Sequence, residues 1–158
     1  MQGARILLVE DDEALRGLME QNLSMRHHEV SIAVDAESAL RHLRTSTFDL
    51  IILDINLPDL SGWDVLRTIK HEKGAGARQS QEGQSPQTDI QQEETLPVVV
   101  VSAVRVSPRR LSEFRPLAYL PKPFPMEALL RLAQEAAERR DGIVPSSRGE
   151  VSGELDNA

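Results

Sequence analysis

The chain has 158 residues, of which 40% are hydrophobic, 3% are aromatic and none is cysteine, and its net charge is −7. A chain of this length suits one compact domain with extensions, and its core must be aliphatic. The lack of cysteine excludes disulfides, thiolate metal sites and cysteine nucleophiles. The negative charge, most of which lies in residues 72–96 and 141–158, argues against direct nucleic-acid binding, because phosphate backbones require a basic face.

The sequence also bears on location. No window contains the roughly 18 apolar residues that a membrane helix needs. Residues 1–13 run into acidic residues without the long apolar stretch of a signal peptide. We therefore expect a cytoplasmic protein that makes no use of a membrane.

Five short aliphatic runs of strand length alternate with segments of helical spacing. The runs are Ile6–Val9, Val30–Val34, Leu50–Leu53, Val98–Val101 and the weaker Ala118–Leu120. Three of them are almost continuously apolar, as expected of parallel strands buried on both faces. Apolar residues at helical spacing lie within 15–23, 36–43, 63–69 and 126–137. The alternation predicts an α/β fold, namely a doubly wound five-stranded parallel sheet of the flavodoxin-like (βα)5 type.

Two segments do not follow this pattern. Residues 73–95 are rich in Gln, Gly and Ser and lack apolar periodicity. We predict that they form a flexible insertion between the third helix and the fourth strand. Residues 141–158 have a similar composition and are predicted to be a disordered tail, which leaves residues 1–140 as the folded domain.

Polar residues stand at the carboxyl ends of the predicted strands, where open parallel sheets collect their chemistry. Glu10 and Asp11 follow the first strand, Asp54 the third, Ser102 the fourth and Lys122 the fifth. Crowded carboxylates repel one another unless a cation joins them, and hard oxygen ligands with room for water suit Mg²⁺. A carboxylate bridged by a metal can attack a phosphoryl group to give an aspartyl phosphate. Lys122 would then neutralise the phosphoryl oxygens, and Ser102 could donate a hydrogen bond to them.

Taken one at a time, polar residues at strand ends also have plain structural explanations. Asp12 is an acid after a strand and could cap the next helix. Ser102 alone could be a loop hydroxyl, and Lys122 alone a surface lysine. Only their joint placement on successive strand ends favours a site. His27 and His28 fall at the end of the first helix, where a charged imidazole would interact well with the helix dipole, and we assign them no chemistry.

Four motifs resemble the receiver domain of bacterial two-component response regulators. They are ILLVEDDEALR (6–16), LIILDINLPDLSGWDVL (50–66), PVVVVSA (97–103) and YLPKPF (119–124). Asp54, Pro58 and Gly62 stand at the family's spacing. The resemblance covers residues 4–140 apart from the insertion.

The resemblance implies roles for the acidic residues at the carboxyl ends of the strands and for their neighbour Asn56. Asp54 is the expected phosphorylation site, and Glu10, Asp11 and Asp54 are expected to hold Mg²⁺. Aligning Arg16 with the family's first helix points to Asp11 as the direct ligand, with Glu10 acting through water. Asn56 is expected to offer its backbone carbonyl to the metal.

The resemblance also implies a switch. Ser102 and Lys122 are expected to bind the phosphoryl group, and Tyr119 is the expected aromatic switch residue. The Lys122–Pro123 bond is similar to one that is cis in the family. A stand-alone receiver is expected, phosphorylated by a sensor histidine kinase or phosphotransfer protein and acting on a downstream protein target that the sequence does not name. Any DNA binding would then belong to a partner.

The fourth helix departs from the family. The stretch from Ser102 to Lys122 is shorter than usual, and its helix is expected to be capped by Ser107, to begin at Pro108 and to stop before Pro116. The surface that signals phosphorylation is therefore expected to be altered.

Two other classes of protein fit part of the pattern. A phosphatase or phosphotransferase of the haloacid dehalogenase type also uses a nucleophilic Asp with Mg²⁺, but its nucleophile follows the first strand in an Asp-x-Asp pattern, whereas Glu10-Asp11-Asp12 follows it here. The other class is a phosphorylation-independent interaction module on the same fold. Detection of a phosphorylated Asp54 would separate that module from a receiver.

Overall fold

The computed structural model describes residues 3–79 and 96–142, and within them five strands alternate with five helices. The strands are β1 (Arg5–Val9), β2 (Glu29–Ala33), β3 (Leu50–Asp54), β4 (Val98–Ser102) and β5 (Ala118–Pro121). The helices are α1 (Glu13–Met25), α2 (Ala36–Thr45), α3 (Gly62–Gln79), α4 (Pro108–Phe114) and α5 (Met126–Arg140). All strand pairs are parallel, in the order β2-β1-β3-β4-β5. The predicted five-stranded, doubly wound fold is confirmed.

Alternate residues of the strands enter two separate aliphatic cores. Ile6 and Leu8 of β1 pack with residues of α1 and α5 on one face of the sheet. Leu7 and Val9 pack with residues of α2 and α3 on the other face. Each such side chain contributes about 1.5–3 kcal/mol by leaving water. Burial on both faces explains why the central strands are almost continuously apolar.

Helix boundaries agree with the capping residues in the sequence. Asp12 accepts a hydrogen bond from the backbone N–H of Leu15 and is the N-cap of α1, so the capping role suggested for it by the sequence is confirmed. Ser107 caps α4, which begins at Pro108 as predicted. The helix ends at Phe114, and its C-cap residue Arg115, which has a left-handed backbone (φ 46°), is followed by Pro116.

The third helix is longer than the sequence analysis predicted. It continues to Gln79, seven residues beyond residue 72, the last position before the predicted insertion. Lys, Ala, Arg and Gln in this stretch have good helix propensity, although each of the two intervening glycines disfavours a helix by about 1 kcal/mol relative to alanine. Residues 80–95, the rest of the predicted insertion, and residues 143–158 of the predicted tail lie outside the described residues. Within the described part, no helix is long and apolar enough to cross a membrane.

His28 does not have the charged, dipole-stabilised state expected at the end of α1. Its side chain is 5% exposed, and its Nδ1 accepts a hydrogen bond of 2.9 Å from the backbone N–H of Ala4. Burial, with added repulsion from Arg26 and Arg140, lowers the pKa of His28 below its usual 6.5. The imidazole is therefore neutral near pH 7, because an acceptor nitrogen cannot carry a proton.

A pH dependence of stability follows from this neutral imidazole. The unfolded chain takes up a proton at His28 as the pH falls through about 6.5, whereas the folded chain does so only at a lower pH. Its stabilising contribution is thus complete above about pH 6.5 and is lost progressively as the pH falls toward the folded-state pKa. We expect urea denaturation to show that His28→Gln reduces the loss of stability between pH 7.5 and 5.5.

Two comparisons make the His28 test specific. Glu10 changes the pH dependence of stability in the opposite direction, because its pKa is raised in the folded protein. The quantity to measure is therefore the difference in pH dependence between the wild type and His28→Gln. His71→Gln removes an exposed histidine on α3 and should leave the pH slope unchanged. An equal slope in wild type and His28→Gln would contradict the neutral assignment.

Candidate functional site

The site lies at the carboxyl edge of the sheet, where neighbouring strands deliver their terminal residues. β1 lies beside β3, with Val9 paired to Leu53, so Glu10 and Asp54 leave the sheet side by side. β5 lies two strands away, and Lys122 reaches across to both. Its backbone N–H donates a 2.8 Å hydrogen bond to the Ser102 carbonyl, which ties the turn after β5 to the end of β4. The Lys122–Pro123 bond is cis, as the resemblance implied.

Three carboxylates form the centre of the site. Glu10, Asp11 and Asp54 each offer an oxygen within 4.8 Å of the others. Glu10 is 1% exposed and Asp54 3% exposed, whereas Asp11 faces solvent. Burial, assisted by the adjacent negative charge of Asp54, raises the pKa of Glu10 to about 7 in spite of its hydrogen bond to Lys122. Glu10 Oε2 is buried without a hydrogen-bond partner in the structure.

Lys122 is the cation that joins these carboxylates. Its Nζ donates to Asp54 Oδ2 at 2.8 Å and to Glu10 Oε1 at 3.0 Å. Burial works against the charge of Lys122, but the hydrogen bonds to the two carboxylates outweigh it and raise the pKa of the lysine. Lys122 therefore stays charged and partly offsets the repulsion within the cluster.

The turn after β3 holds Asp54 in place. The backbone N–H of Asn56 donates to Asp54 Oδ1 at 2.9 Å, and the backbone N–H of Gly62 donates to the Ile55 carbonyl at 2.8 Å. Asn56 also bridges to Ser61. A Cβ at Gly62 would lie 2.7 Å from the Asp54 carbonyl oxygen and 2.9 Å from Ile55 Cα. Only glycine fits so close to this backbone.

Ser102 and Tyr119 form a second group beside the carboxylates. The buried Ser102 hydroxyl donates to the Val104 carbonyl at 2.8 Å and accepts from the Val104 N–H at 3.0 Å. The Tyr119 hydroxyl donates to the same Val104 carbonyl at 3.3 Å. The two predicted switch residues thus share one acceptor. In this structure the Ser102 hydroxyl is engaged by the loop rather than by the carboxylates.

Two supporting side chains were not identified as such from the sequence. Arg16 donates to the carbonyls of Glu10 and Asp11 at 3.1 and 3.3 Å and so holds the acidic turn. Asp59 accepts from the backbone N–H groups of Ala36 and Glu37 at the start of α2, and these bonds lower its pKa. No local signal marks the Asp59 contact, because its partners lie more than twenty residues away.

The helices beyond the site are joined by stacked rings. Trp63 of α3 and Phe114 of α4 stack with centroids 5.1 Å apart and an interplanar angle of 22°. The guanidinium of Arg110 lies 5.9 Å from the Trp63 ring, and that of Arg67 lies 5.6 Å from the Phe114 ring. Cation–π contacts of this kind add to the stacking. The short α4 is therefore attached to α3 through side chains.

Comparisons with known proteins agree with this architecture. A family model described as the response regulator receiver domain matches residues 6–78. The transcriptional regulatory protein AfsQ1 of Streptomyces coelicolor is 42% identical over 65 residues, which are 41% of this chain and 29% of that protein. The transcriptional activator PfeR of Pseudomonas aeruginosa is 31% identical over 150 residues, covering 87% of this chain and 42% of that protein. This chain thus spans less than half the length of these curated relatives.

The fold is also similar to that of a solved receiver domain. The non-phosphorylated receiver domain of HemR from Leptospira biflexa is 28% identical, covers 84% of this chain and 93% of its own, and superposes with a TM-score of 0.65. The match of family model, relatives and fold, together with the acidic edge described above, defines a signalling domain of two-component systems. The chain belongs to the response regulator receiver family.

Proposed function

We propose that Asp54 accepts a phosphoryl group from a sensor histidine kinase or phosphotransfer protein, with Mg²⁺ bound, and that phosphorylation changes the protein-binding surface. The observation that carries this proposal is the position of Asp54 Oδ2, 2.8 Å from Lys122 Nζ and inside a cluster of three carboxylates. Family membership agrees with a signalling domain of this kind. The cytoplasmic location and the lack of nucleic-acid binding stay predictions.

The residues at the site fit a magnesium ion. Their ligand atoms are hard carboxylate oxygens, and Glu10 Oε2 is a buried oxygen that lacks a partner. Asp11, Asp54 and the backbone carbonyl of Asn56 would hold the ion, with Glu10 acting through water. When bound, Mg²⁺ would neutralise negative charge on the carboxylates and on the incoming phosphoryl oxygens.

The chemical step needs a nucleophile and a fixed positive charge. An oxygen of Asp54 attacks the phosphorus of phosphohistidine, and the P–N bond breaks with its electron pair remaining on the imidazole nitrogen. A mixed anhydride forms on Asp54. The ammonium of Lys122, which contacts Asp54 before the reaction, remains beside the phosphoryl oxygens and stabilises their charge. The hydrogen bond from Asn56 keeps the carboxylate oriented.

The shared Val104 carbonyl supplies a route from this chemistry to the surface. If Ser102 turns its hydroxyl toward a phosphoryl oxygen, Val104 loses both of its bonds to that hydroxyl. The loop after β4 and the Tyr119 hydroxyl are then free to move together. The stacked Trp63 and Phe114 keep α4 on α3, so we expect a smaller rearrangement in α4 than in this loop.

The test is to detect the phosphoryl group on Asp54. The protein is incubated with phosphoramidate and Mg²⁺, and its intact mass is measured. We expect a phosphoryl adduct that is absent from Asp54→Asn and absent when the metal is chelated. Asp12→Asn is the matched control, since asparagine caps a helix as well as aspartate does and α1 is preserved.

An adduct that survives in Asp54→Asn would refute the assignment of the site. A complete lack of adduct in the folded wild-type protein would favour the alternative of a phosphorylation-independent interaction module. The short α4, which has no fully buried residue, is the feature that keeps this alternative in view.

A further inference from the structure

The stretch that contains α4 is strongly basic in a chain that is acidic as a whole. Residues 105–115 contain four arginines and a single acid, Glu113. Arg110 contacts that acid at 3.5 Å and lies over the Trp63 ring. The other three arginines are exposed and form no ion pair with a carboxylate of the described ranges, and they are Arg105, Arg109 and Arg115.

α4 has an open side that carries these charges. None of its residues is buried. The stack of Phe114 on Trp63 attaches the helix to α3 on one side, and the exposed arginines show that no described element covers the other side. Guanidinium groups form charge-assisted hydrogen bonds with carboxylates, which are stronger than those between neutral groups. The open side of α4 is therefore suited to an acidic segment.

The chain itself contains an acidic segment next to this surface. Residues 80–95, which lie outside the described residues, contain no Lys, Arg or His and four acids, which are Glu82, Asp89, Glu93 and Glu94. Ile90 is their only large apolar residue, so their composition offers little for a hydrophobic core. Charge is thus the property by which this segment can bind to the folded domain.

The end of this segment is anchored close to α4. The backbone N–H of Leu117 donates a 2.8 Å hydrogen bond to the carbonyl of Val98, the first residue of β4. Arg115 precedes Leu117 by two residues, and Glu94 precedes Val98 by four. Four extended residues span up to roughly 14 Å. The carboxylates at this end can therefore reach the Arg115 guanidinium.

The remaining length of the segment is sufficient to reach the first turn of α4. Arg109 lies six residues before Arg115, which is about 9 Å along a helix. Asp89 lies five residues before Glu94, which is up to roughly 17 Å of extended chain. A short tether also keeps the local concentration of carboxylates on the order of millimolar, which compensates for the weakness of single exposed ion pairs.

We propose that residues 80–95 bind in cis to the arginine surface of α4, which is formed by Arg109 and Arg115. The carboxylates that make the contact are Asp89, Glu93 and Glu94. A protein that binds α4 through acidic groups must then displace this segment first. Unphosphorylated protein is used in the test, so the contact is independent of the chemistry proposed for Asp54.

Two triple variants that lose the same charge separate this contact from a general effect of net charge. In the first, the substitutions in the acidic segment are Asp89→Asn, Glu93→Gln and Glu94→Gln. In the control, the substitutions near the end of the chain are Glu150→Gln, Glu154→Gln and Asp156→Asn. The probe is an octaglutamate peptide, which is added to each full-length protein at low salt. Its binding is followed by the backbone amide NMR shifts of α4.

We expect the first variant to bind octaglutamate about five times more tightly than wild type, because its arginines are no longer occupied. This ratio corresponds to a segment bound in about four fifths of wild-type molecules. The control should bind the peptide within about twofold of wild type. Without peptide, the α4 amide shifts of the first variant should differ from those of wild type. Sodium chloride at about 1 M should remove this difference, since the screening length is then about 3 Å.

A further double variant assigns the contact to the two arginines. Arg109→Gln and Arg115→Asn remove both positive charges, and asparagine tolerates the left-handed backbone at position 115. In this background, proteins with the intact and the neutralised segment should bind octaglutamate equally weakly. Both side chains are exposed, so the fold is expected to remain intact, and thermal melting checks this for every variant.

Equal affinity of wild type and the first triple variant would contradict the proposal, because the arginine surface would then be open to acidic partners in trans. Equal tightening in both triple variants would reduce the effect to net charge and would contradict it as well. An absence of α4 shifts in every protein would show that these arginines do not bind carboxylates. None of these results changes the labelling of Asp54, so the proposed function is tested separately.

Discussion

Replacing Lys122 with methionine is expected to lower the free energy of unfolding by about 3 kcal/mol when Mg²⁺ is chelated. Lys122 is the amine that contacts both Glu10 and Asp54, and its loss leaves two buried carboxylates facing each other. Removing one partner from a buried ion pair costs roughly 3–5 kcal/mol. The lower end applies here, because the Lys122 side chain is 19% exposed and water reaches the site. Urea denaturation in a chelating buffer measures the change.

A double-mutant cycle shows whether the effect belongs to this contact. Asp54→Asn removes one of the two carboxylates, so the additional loss caused by Lys122→Met should be smaller by about 1–3 kcal/mol in that background. Lys70→Met, at an exposed position of α3, is the matched control and should stay within about 0.5 kcal/mol of wild type. Additive effects of Asp54→Asn and Lys122→Met would show that the two side chains do not interact.

Adding one methyl group at Gly62 is expected to lower the free energy of unfolding by about 2–3 kcal/mol and to slow phosphorylation of Asp54. The new Cβ would press on the Asp54 carbonyl oxygen at 2.7 Å and on Ile55 Cα at 2.9 Å. Both are backbone atoms, which cannot turn away as a side chain would. Overpacking usually costs about 1–3 kcal/mol, and here it also displaces the phosphoacceptor.

Gly17→Ala is the matched control, with an effect of opposite sign. Gly17 lies in α1 with nothing within 4 Å of an added Cβ, and alanine is favoured over glycine in a helix by about 1 kcal/mol. We therefore expect Gly17→Ala to raise stability and leave phosphorylation unchanged. Stability is measured by urea denaturation, and labelling by intact mass with phosphoramidate. A Gly62→Ala protein as stable and as reactive as wild type would show that the turn after β3 tolerates a side chain.

The Lys122 and Gly62 variants remove two different interactions that hold Asp54 in place. Lys122, which follows the edge strand β5, places a positive charge beside Asp54, whereas Gly62 lets α3 approach the end of β3. This close approach also places Trp63 in the core that contains Leu7 and Val9, where its ring stacks on that of Phe114. The position of α4 thus depends on the turn that orients Asp54. A change in that turn is expected to reach both the chemistry and the surface.

Several features of this protein were determined by the sequence alone. The strands could be predicted because a parallel strand is buried on both faces and must be apolar along its length, as in Leu50–Leu53. The cluster of acidic residues at the carboxyl edge of the sheet could be predicted, because the carboxyl ends of parallel strands all lie on the same side. Glu10, Asp11, Asp54 and Lys122 therefore had to meet there, and the structure brings them together. Caps such as Asp12 and Ser107 are also local, since their partners lie three residues away.

Other features were decided only by the tertiary structure. The Ser102 hydroxyl can rotate toward any acceptor within reach, and its bond to Val104 depends on how the loop after β4 folds. The neutral state of His28 depends on its burial and on the N–H of Ala4, twenty-four residues away. The hydrogen bonds that Asp59 accepts from the first turn of α2 likewise join segments far apart in the chain. Hydrophobic pattern and capping are properties of neighbouring residues, whereas burial, charge state and hydroxyl direction depend on every element packed around a group.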